Sequence, residues 1–157
     1  MIDPALFRSV LGRFASGVTV ITTRDTTGKD HGMTVSAFCS VSLEPPLVAV
    51  CVEKHTVMHE VIGTATQFAV NMLSWQQESI SRRFSEQLDD RFEGIGYTRG
   101  VTGSVLLEGI LAYVECDLVA RYPGGDHTII VGQVIAAAAQ LERPLLYYRG
   151  GYAQLER

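Results

Sequence analysis

Gly32-Met33-Thr34-Val35-Ser36-Ala37-Phe38-Cys39-Ser40 is the stretch on which the reading of this chain turns. It leaves an apolar run, sets small hydroxyls beside Ala37 and Phe38, and leads into a second hydroxyl-rich turn closed by Pro45-Pro46. The pattern belongs to neither an ordinary strand nor an ordinary helix. Hydroxyls and backbone N–H groups on a narrow strip beside apolar surface suit a flat ligand that is polar along one edge. A Ser/Thr-rich strand end in a small barrel has the same composition, so the flanking segments decide between the two.

Upstream, Asp3-Pro4 reads as a helix start, with Asp as cap and Pro at the first helical position. Leu6, Val10, Leu11 and Phe14 share one face of that helix, and Gly17 ends it. Val18–Arg24 is β-branched and reads as a strand, turned at Thr26-Thr27-Gly28 into a hairpin partner over Asp30–Ser36. Downstream, Leu47–Val52 is almost wholly apolar and is expected to be buried on both faces. Thr56 can cap a short helix burying Val57, Met58, Val61 and Ile62, and Gln67–Leu73 is a further strand. Ser74 and Gln77 have capping-box spacing for a helix over Trp75–Glu86. Residues 87–104, with glycines at 94, 96, 100 and 103, form a long irregular connection suited to covering a site. Strands over Leu106–Arg121, Thr128–Gln140 and Leu145–Tyr148 complete the pattern, with a turn at Pro123-Gly124-Gly125-Asp126. At least six strands without βαβ alternation predict a mainly β, antiparallel, closed barrel with short helices on its rim.

At 157 residues the chain is expected to form a single domain over 1–157. A net charge of −4 and the lack of a basic stripe argue against nucleic acid. No apolar run approaches a membrane span, and no secretory signal is expected. Cys39, Cys51 and Cys116 are odd in number and lack CxxC spacing, which reads as free thiols in a reducing cytoplasm.

Five other constellations could carry chemistry. Lys54-His55-Thr56 places a cation, a hydroxyl and helix N–H groups together, as a phosphate site would; an ordinary Thr cap beside a solvated lysine reads the same way. His55 and His59 are one helical turn apart but lack a third ligand, so no metal is expected. Gly94-x-Gly96 fails as a dinucleotide fingerprint because Arg99 stands where the third glycine belongs. His127 lies in a turn at a barrel mouth, where ligand contacts and structural histidines are both found; nothing orients a Cys39–His127 nucleophilic pair. The closing Tyr147-Tyr148-Arg149-Gly150 could clamp a planar ring or line a subunit seam.

In order along the chain, FASGVTVITT (14–23), GMTVSAFCSVSLEPPLVAVCV (32–52), FAVNMLS (68–74), SRRFSE (81–86) with DRF (90–92), GDHTIIVGQV (125–134) and PLLYYRGGY (144–152) resemble the small flavin reductase family. These are the NAD(P)H:flavin oxidoreductases that supply two-component monooxygenases. The resemblance implies a split β-barrel, Greek-key-like, that binds FMN or FAD, uses NADH or NADPH as co-substrate and forms a homodimer. It sets the flavin ring along Met33, Thr34, Val35, Ser36, Ala37 and Phe38, with Ser40 next in the strip. Val50, Cys51 and Val52 would lie under the ribityl chain, with Glu53, Lys54 and Thr56 nearby and the phosphate near Lys54–Thr56. Phe84 and Ser85 would close over the flavin, and Arg91 belongs to the DRF segment beside it. His127, as catalytic positioner, would meet the nicotinamide together with Tyr147, Tyr148, Arg149 and Gly150. The rival readings are a non-enzymatic flavin-binding redox sensor or carrier, a bound-flavin oxidase, and an interaction barrel without cofactor.

Overall fold

The computed structural model describes residues 1–156. In chain order its elements are α1 (Pro4–Leu11), β1 (Ser16–Gly17), β2 (Thr19–Arg24), β3 (Asp30–Val35), β4 (Phe38–Ser42), β5 (Leu47–Glu53), α2 (Val57–Ile62) and β6 (Gln67–Met72). There follow α3 (Glu78–Arg83), β7 (Tyr97–Arg99), β8 (Val105–Leu107), β9 (Ala112–Gly124), β10 (His127–Ala139), β11 (Leu145–Tyr148) and β12 (Gly151–Gln154).

Seven strands make the main antiparallel sheet in the order β3-β2-β6-β9-β10-β5-β4. Its two edge strands, β3 and β4, are joined by only Ser36 and Ala37. A connection that short spans about 10 Å at most, so the sheet must curl until its edges meet. The Cys51 N–H extends the β4–β5 ladder by one bond to the Ala37 carbonyl at 3.0 Å, which holds the corner on β5. The edges come together without pairing strand to strand, which makes the barrel split rather than closed as the strand pattern alone suggested. The long β9–β10 hairpin lies between β6 and β5, so the chain order is of Greek-key type.

The barrel interior is filled by Ile21, Val35, Val48, Val50, Val52, Phe68, Val70 and Ile130, with Met58 and Ile62 of α2 closing one end. Gly132 is required in mid-strand: a Cβ there would stand 2.6 Å from the Phe68 ring and 2.8 Å from Cys116 Cβ. A second cluster (Val18, Val20, Leu73, Phe84, Val105, Leu107 and Leu145) packs on the outer side of β2 and β6. These two strands are therefore buried on both faces, and β6 shows four consecutive buried residues in place of an alternation.

Several elements differ from expectation. β5 alternates between buried and half-buried residues, because its odd-numbered positions point outward. Val57 of α2 is exposed. The Gln77 side chain does accept the Ser74 N–H at 3.0 Å, but Ser74 bridges to Pro144 as an isolated strand pair and α3 starts only at Glu78. The expected strand over Leu106–Arg121 is broken after Leu107 by a turn at Gly109 (φ 76°), and β8 instead pairs with β7 from within the supposedly irregular connection. β12 was not expected; Arg149 (φ 52°) and Gly150 (φ 77°) form the tight turn that folds it back on β11. Helix α1 is capped by the Asp3 carboxylate as predicted, but it ends at Gly12 and buries none of its residues.

Candidate functional site

The 32–40 stretch forms the corner between the two barrel edges. Gly32 is dictated by packing, since a Cβ there would come within 2.8 Å of two atoms of the Phe84 ring and 3.0 Å of Phe92. Met33 and Val35 pack on the barrel core. Thr34 is engaged on its outer side: its N–H donates to the Phe84 carbonyl at 3.1 Å and its hydroxyl to the Ser81 carbonyl at 2.7 Å. Beyond Val35 the pattern changes. Ser36, Ala37 and Ser40 are exposed, while Phe38 remains half-buried against the core. Among the described residues the N–H groups of Ser36 and Ala37 and the hydroxyls of Ser36 and Ser40 have no hydrogen-bond partner. Elsewhere the accounting is complete, with no buried side-chain nitrogen or oxygen left unpaired among the described residues. The open donors of Ser36, Ala37 and Ser40 lie on exposed residues, where a ligand could reach them.

Beside this corner, Val50 and Val52 point into the barrel and are fully buried, so only Cys51 of that trio presents its side chain outward. Phe84 is likewise fully buried beneath Gly32. It supports the strip from behind and offers Thr34 its carbonyl; it does not lie over the surface as a lid. Ser85 donates to the Ser81 carbonyl at 2.9 Å. Arg91 is a strut: its guanidinium donates to the Gly32 carbonyl at 2.6 Å and the Glu86 carbonyl at 2.7 Å, and burial lowers its pKa. Arg99 fastens the same connection through a bidentate pair with Asp30 at 2.7 and 2.9 Å. The 87–104 connection is thus tied to the back of β3.

At the end of β5, Thr56 caps α2 by accepting the His59 N–H at 3.2 Å, and its hydroxyl donates to the Glu53 carbonyl at 2.8 Å. Glu53 and Lys54 are exposed, and Lys54 forms no ion pair among the described residues. The Lys54 N–H donates to the Asp126 carbonyl at 2.9 Å, and His127 stands opposite Glu53 in the β10–β5 register. His127 Nδ1 lies 2.7 Å from Asp126 Oδ1. That bond, together with the charges of His127 and His55, holds the Asp126 carboxyl below the usual carboxylate range. The structure therefore gathers Lys54, His55 and His127 around one turn. The sequence sets His55 beside Lys54, but its proximity to Asp126 depends on a pairing of β5 with β10 that no local spacing reveals.

Tyr147–Gly150 is elsewhere. It belongs to a separate three-stranded sheet, β1-β11-β12, with Tyr147 opposite Ser16 and the Arg149 N–H donating to the Gly12 carbonyl. Tyr147 stacks edge-on against Tyr152, whose ring carries Arg82 and whose hydroxyl lies 2.7 Å from Ser81 Oγ. The fold does not set this cluster on the same sheet as His127.

Of two cavities, one bears on the site. The larger, about 720 Å³, lies at the far end of β9 and β10 near Arg99, Tyr113 and Glu115, and none of the predicted site residues lines it. The smaller, about 150 Å³, runs from Gly17 and Leu145 to Ser36 and Phe38, and so opens beside the free donors. Volume alone does not make a site, and the smaller cavity is the one joined to unpartnered polar groups.

The fold and this corner define a split barrel with a ligand strip at its seam. Residues 11–156 match the family described as "Flavin reductase like domain". The chain is 42% identical over 152 residues to a flavin reductase of Pseudomonas putida, covering 96% of this chain and 89% of that one. It is also 42% identical over 156 residues to HsaB, the reductase subunit of a flavin-dependent monooxygenase in Rhodococcus jostii, covering 99% and 80%. The structure of the NADH:FAD oxidoreductase SgcE6 of Streptomyces globisporus, in complex with NAD and FAD fragments, superposes with a TM-score of 0.93 at 37% identity, covering 99% of this chain and 96% of that one. This chain belongs to the flavin reductase-like family.

Proposed function

We infer that this protein is an NAD(P)H-dependent flavin reductase that takes FMN or FAD and supplies reduced flavin to a partner flavin-dependent monooxygenase. The observation that carries the reading is the set of open donors at Ser36, Ala37 and Ser40 on an apolar seam, within a chain matched to the family over nearly its full length. These residues fit a flavin: apolar contact from Phe38 at the seam cavity, on a strip that Met33 and Val35 anchor to the barrel core, and hydrogen-bond donors for the polar edge of the ring. When bound, the flavin supplies the ring that accepts a hydride from the nicotinamide.

The chain's own residues bind and orient. The Ser36 and Ala37 N–H groups fix the polar edge of the ring, and Ser40 extends the strip. Thr34, anchored to α3, keeps β3 in place, while Phe84, Ser85 and Arg91 brace it from behind. Cys51, with the backbone on either side at Val50 and Val52, lies under the ribityl chain. Lys54 meets the phosphate, with Glu53 and Thr56 shaping the turn around it. His127, oriented by Asp126, positions the nicotinamide, and Tyr147–Gly150 borders the approach from the smaller sheet.

The single reductase domain of this reading covers residues 1–157 and works as a homodimer in a reducing, cytoplasmic setting. Two features favour the dimer. The chain exposes 9355 Å², where a compact monomer of 17.2 kDa is expected to show about 7,800 Å². In addition Leu6, Phe7, Val10 and Leu11 of α1 are each about half exposed, an apolar face that nothing among the described residues covers. Light scattering reads the mass directly, and a monomer would remove this part of the proposal. Among the described residues no helix is long and apolar enough to cross a membrane.

The deciding experiment is NADH and NADPH oxidation by the purified protein, with and without free FMN, FAD and riboflavin. Turnover that requires added flavin is expected. Tight flavin binding without turnover would instead favour a redox carrier or a bound-flavin oxidase.

A further inference from the structure

We propose that Cys39 and Cys51 together form a two-coordinate site for a soft monovalent cation of the Cu(I) class, on the outer face of the β4–β5 pair. Cys39 stands opposite Ala49 in the strand register, and the ladder continues through the bond from the Cys51 N–H to the Ala37 carbonyl. Cys39 and Cys51 are therefore diagonal neighbours on one face, the face opposite the buried Val48, Val50 and Val52. Both thiols are free, one exposed and one half-buried. The Cys51 thiol is pushed up by burial and then by the nearby Cys39 sulfur, as expected when the two side chains face each other.

Magnitudes select the ligand. Diagonal neighbours in an antiparallel pair have Cα atoms about 7–8 Å apart, beyond the roughly 4.4–6.8 Å of a disulfide. A metal–thiolate bond of about 2.3 Å lets one linearly bound ion hold two sulfurs up to about 4.6 Å apart, against about 2.05 Å in a disulfide. A bridging ion fits the register, and a direct sulfur–sulfur bond does not. Ala49, Ile129 and Val131 are apolar neighbours on this face, and Glu53, paired with His127, follows on it two residues beyond Cys51. Among the described residues no group of three or more His, Cys, Asp or Glu could complete a tetrahedral site. Thiolate softness with only two ligands favours Cu(I) over Zn(II). Binding replaces two S–H protons with two Cu–S bonds and releases both protons to solvent. By the flavin reading above, on which this one consequence rests, Cys51 lies beneath the cofactor, so copper and flavin exclude one another.

The test is anaerobic titration of the purified protein with Cu(I) against a chromogenic Cu(I) chelator. One ion per chain is expected, with at least a tenfold loss of affinity in Cys39→Ser and in Cys51→Ser and none in Cys116→Ala. On the wild-type chain, Cu(I) should protect Cys39 and Cys51 together from alkylation, read by peptide mass. Retention of the ion by either serine variant, protection of one cysteine alone, or one ion per two chains would overturn the site. FMN at saturation is expected to release the copper. Copper that needs both cysteines yet ignores FMN would uphold the ion site and overturn the placement of flavin over Cys51.

Discussion

The seam between β3 and β4 and the clasp between β9 and the 100–103 turn treat their polar groups in opposite ways. At the clasp, Glu115 is 1% exposed, yet its carboxylate accepts the Val101 N–H, the Thr102 N–H and the Thr102 hydroxyl at 3.1, 3.0 and 2.6 Å. Nearby, Asn71 bonds the Val20 carbonyl, the Thr22 hydroxyl and the Leu107 N–H, and every donor there is matched. At the seam, exposed Ser36, Ala37 and Ser40 keep their donors free. A closed network adds rigidity and excludes ligands; an open one on a rigid frame is what a ligand requires.

Breaking the clasp is the largest perturbation of this contrast. Glu115→Ala should lower stability by about 3–5 kcal/mol, because it strands two backbone N–H groups and a hydroxyl. Urea unfolding measures the loss, and the flavin dissociation constant of the remaining folded protein should change less than twofold. A parallel collapse of flavin binding would show that the two regions are not separable.

The seam and its neighbouring turn can be divided more finely. His127→Ala should raise the NADH KM by about 10–100-fold, the equivalent of one hydrogen bond to a charged group, while flavin binding by fluorescence quenching survives. Loss of flavin binding instead would merge two sites now held distinct. Lys54→Ala should weaken FMN about fivefold, as expected for an exposed ion pair, and leave riboflavin, which has no phosphate, unaffected. Equal losses would take Lys54 out of the phosphate site.

The smallest effect lies in the β2–β3 hairpin. Asp25 has its pKa lowered by the Thr27 hydroxyl first, then by His31 and by the N–H groups of Lys29 and Thr27. A depressed folded-state pKa gives stability that is present above the unfolded value, about 3.9, and is lost as pH falls below it. The stability difference between wild type and Asp25→Asn should therefore be present at neutral pH and shrink below about pH 4. A difference that grew with acid would reverse the assignment.

Much of this was legible in the chain. The Asp3 cap, the Gly28 turn, the Thr56 cap and the β2–β3 hairpin follow from local steric and hydrogen-bonding preferences within a few residues. The motif series from Phe14 to Tyr152 carried the family, the split barrel and the flavin chemistry by resemblance. What local pattern could not supply was the partner of each strand. Periodicity counts strands but does not say that β3 and β4 become the two edges, nor that Ser36 and Ala37 alone must bridge them. Nor could it show that Phe84 and Arg91 lie behind the strip, that His55 joins Lys54 and His127, or that Tyr147 falls in another sheet. The sequence by itself determined which groups are chemically able to hold a flavin and a nicotinamide. Only the tertiary structure decided which of them remain free to do so, because a donor is available only if no distant segment has already taken it.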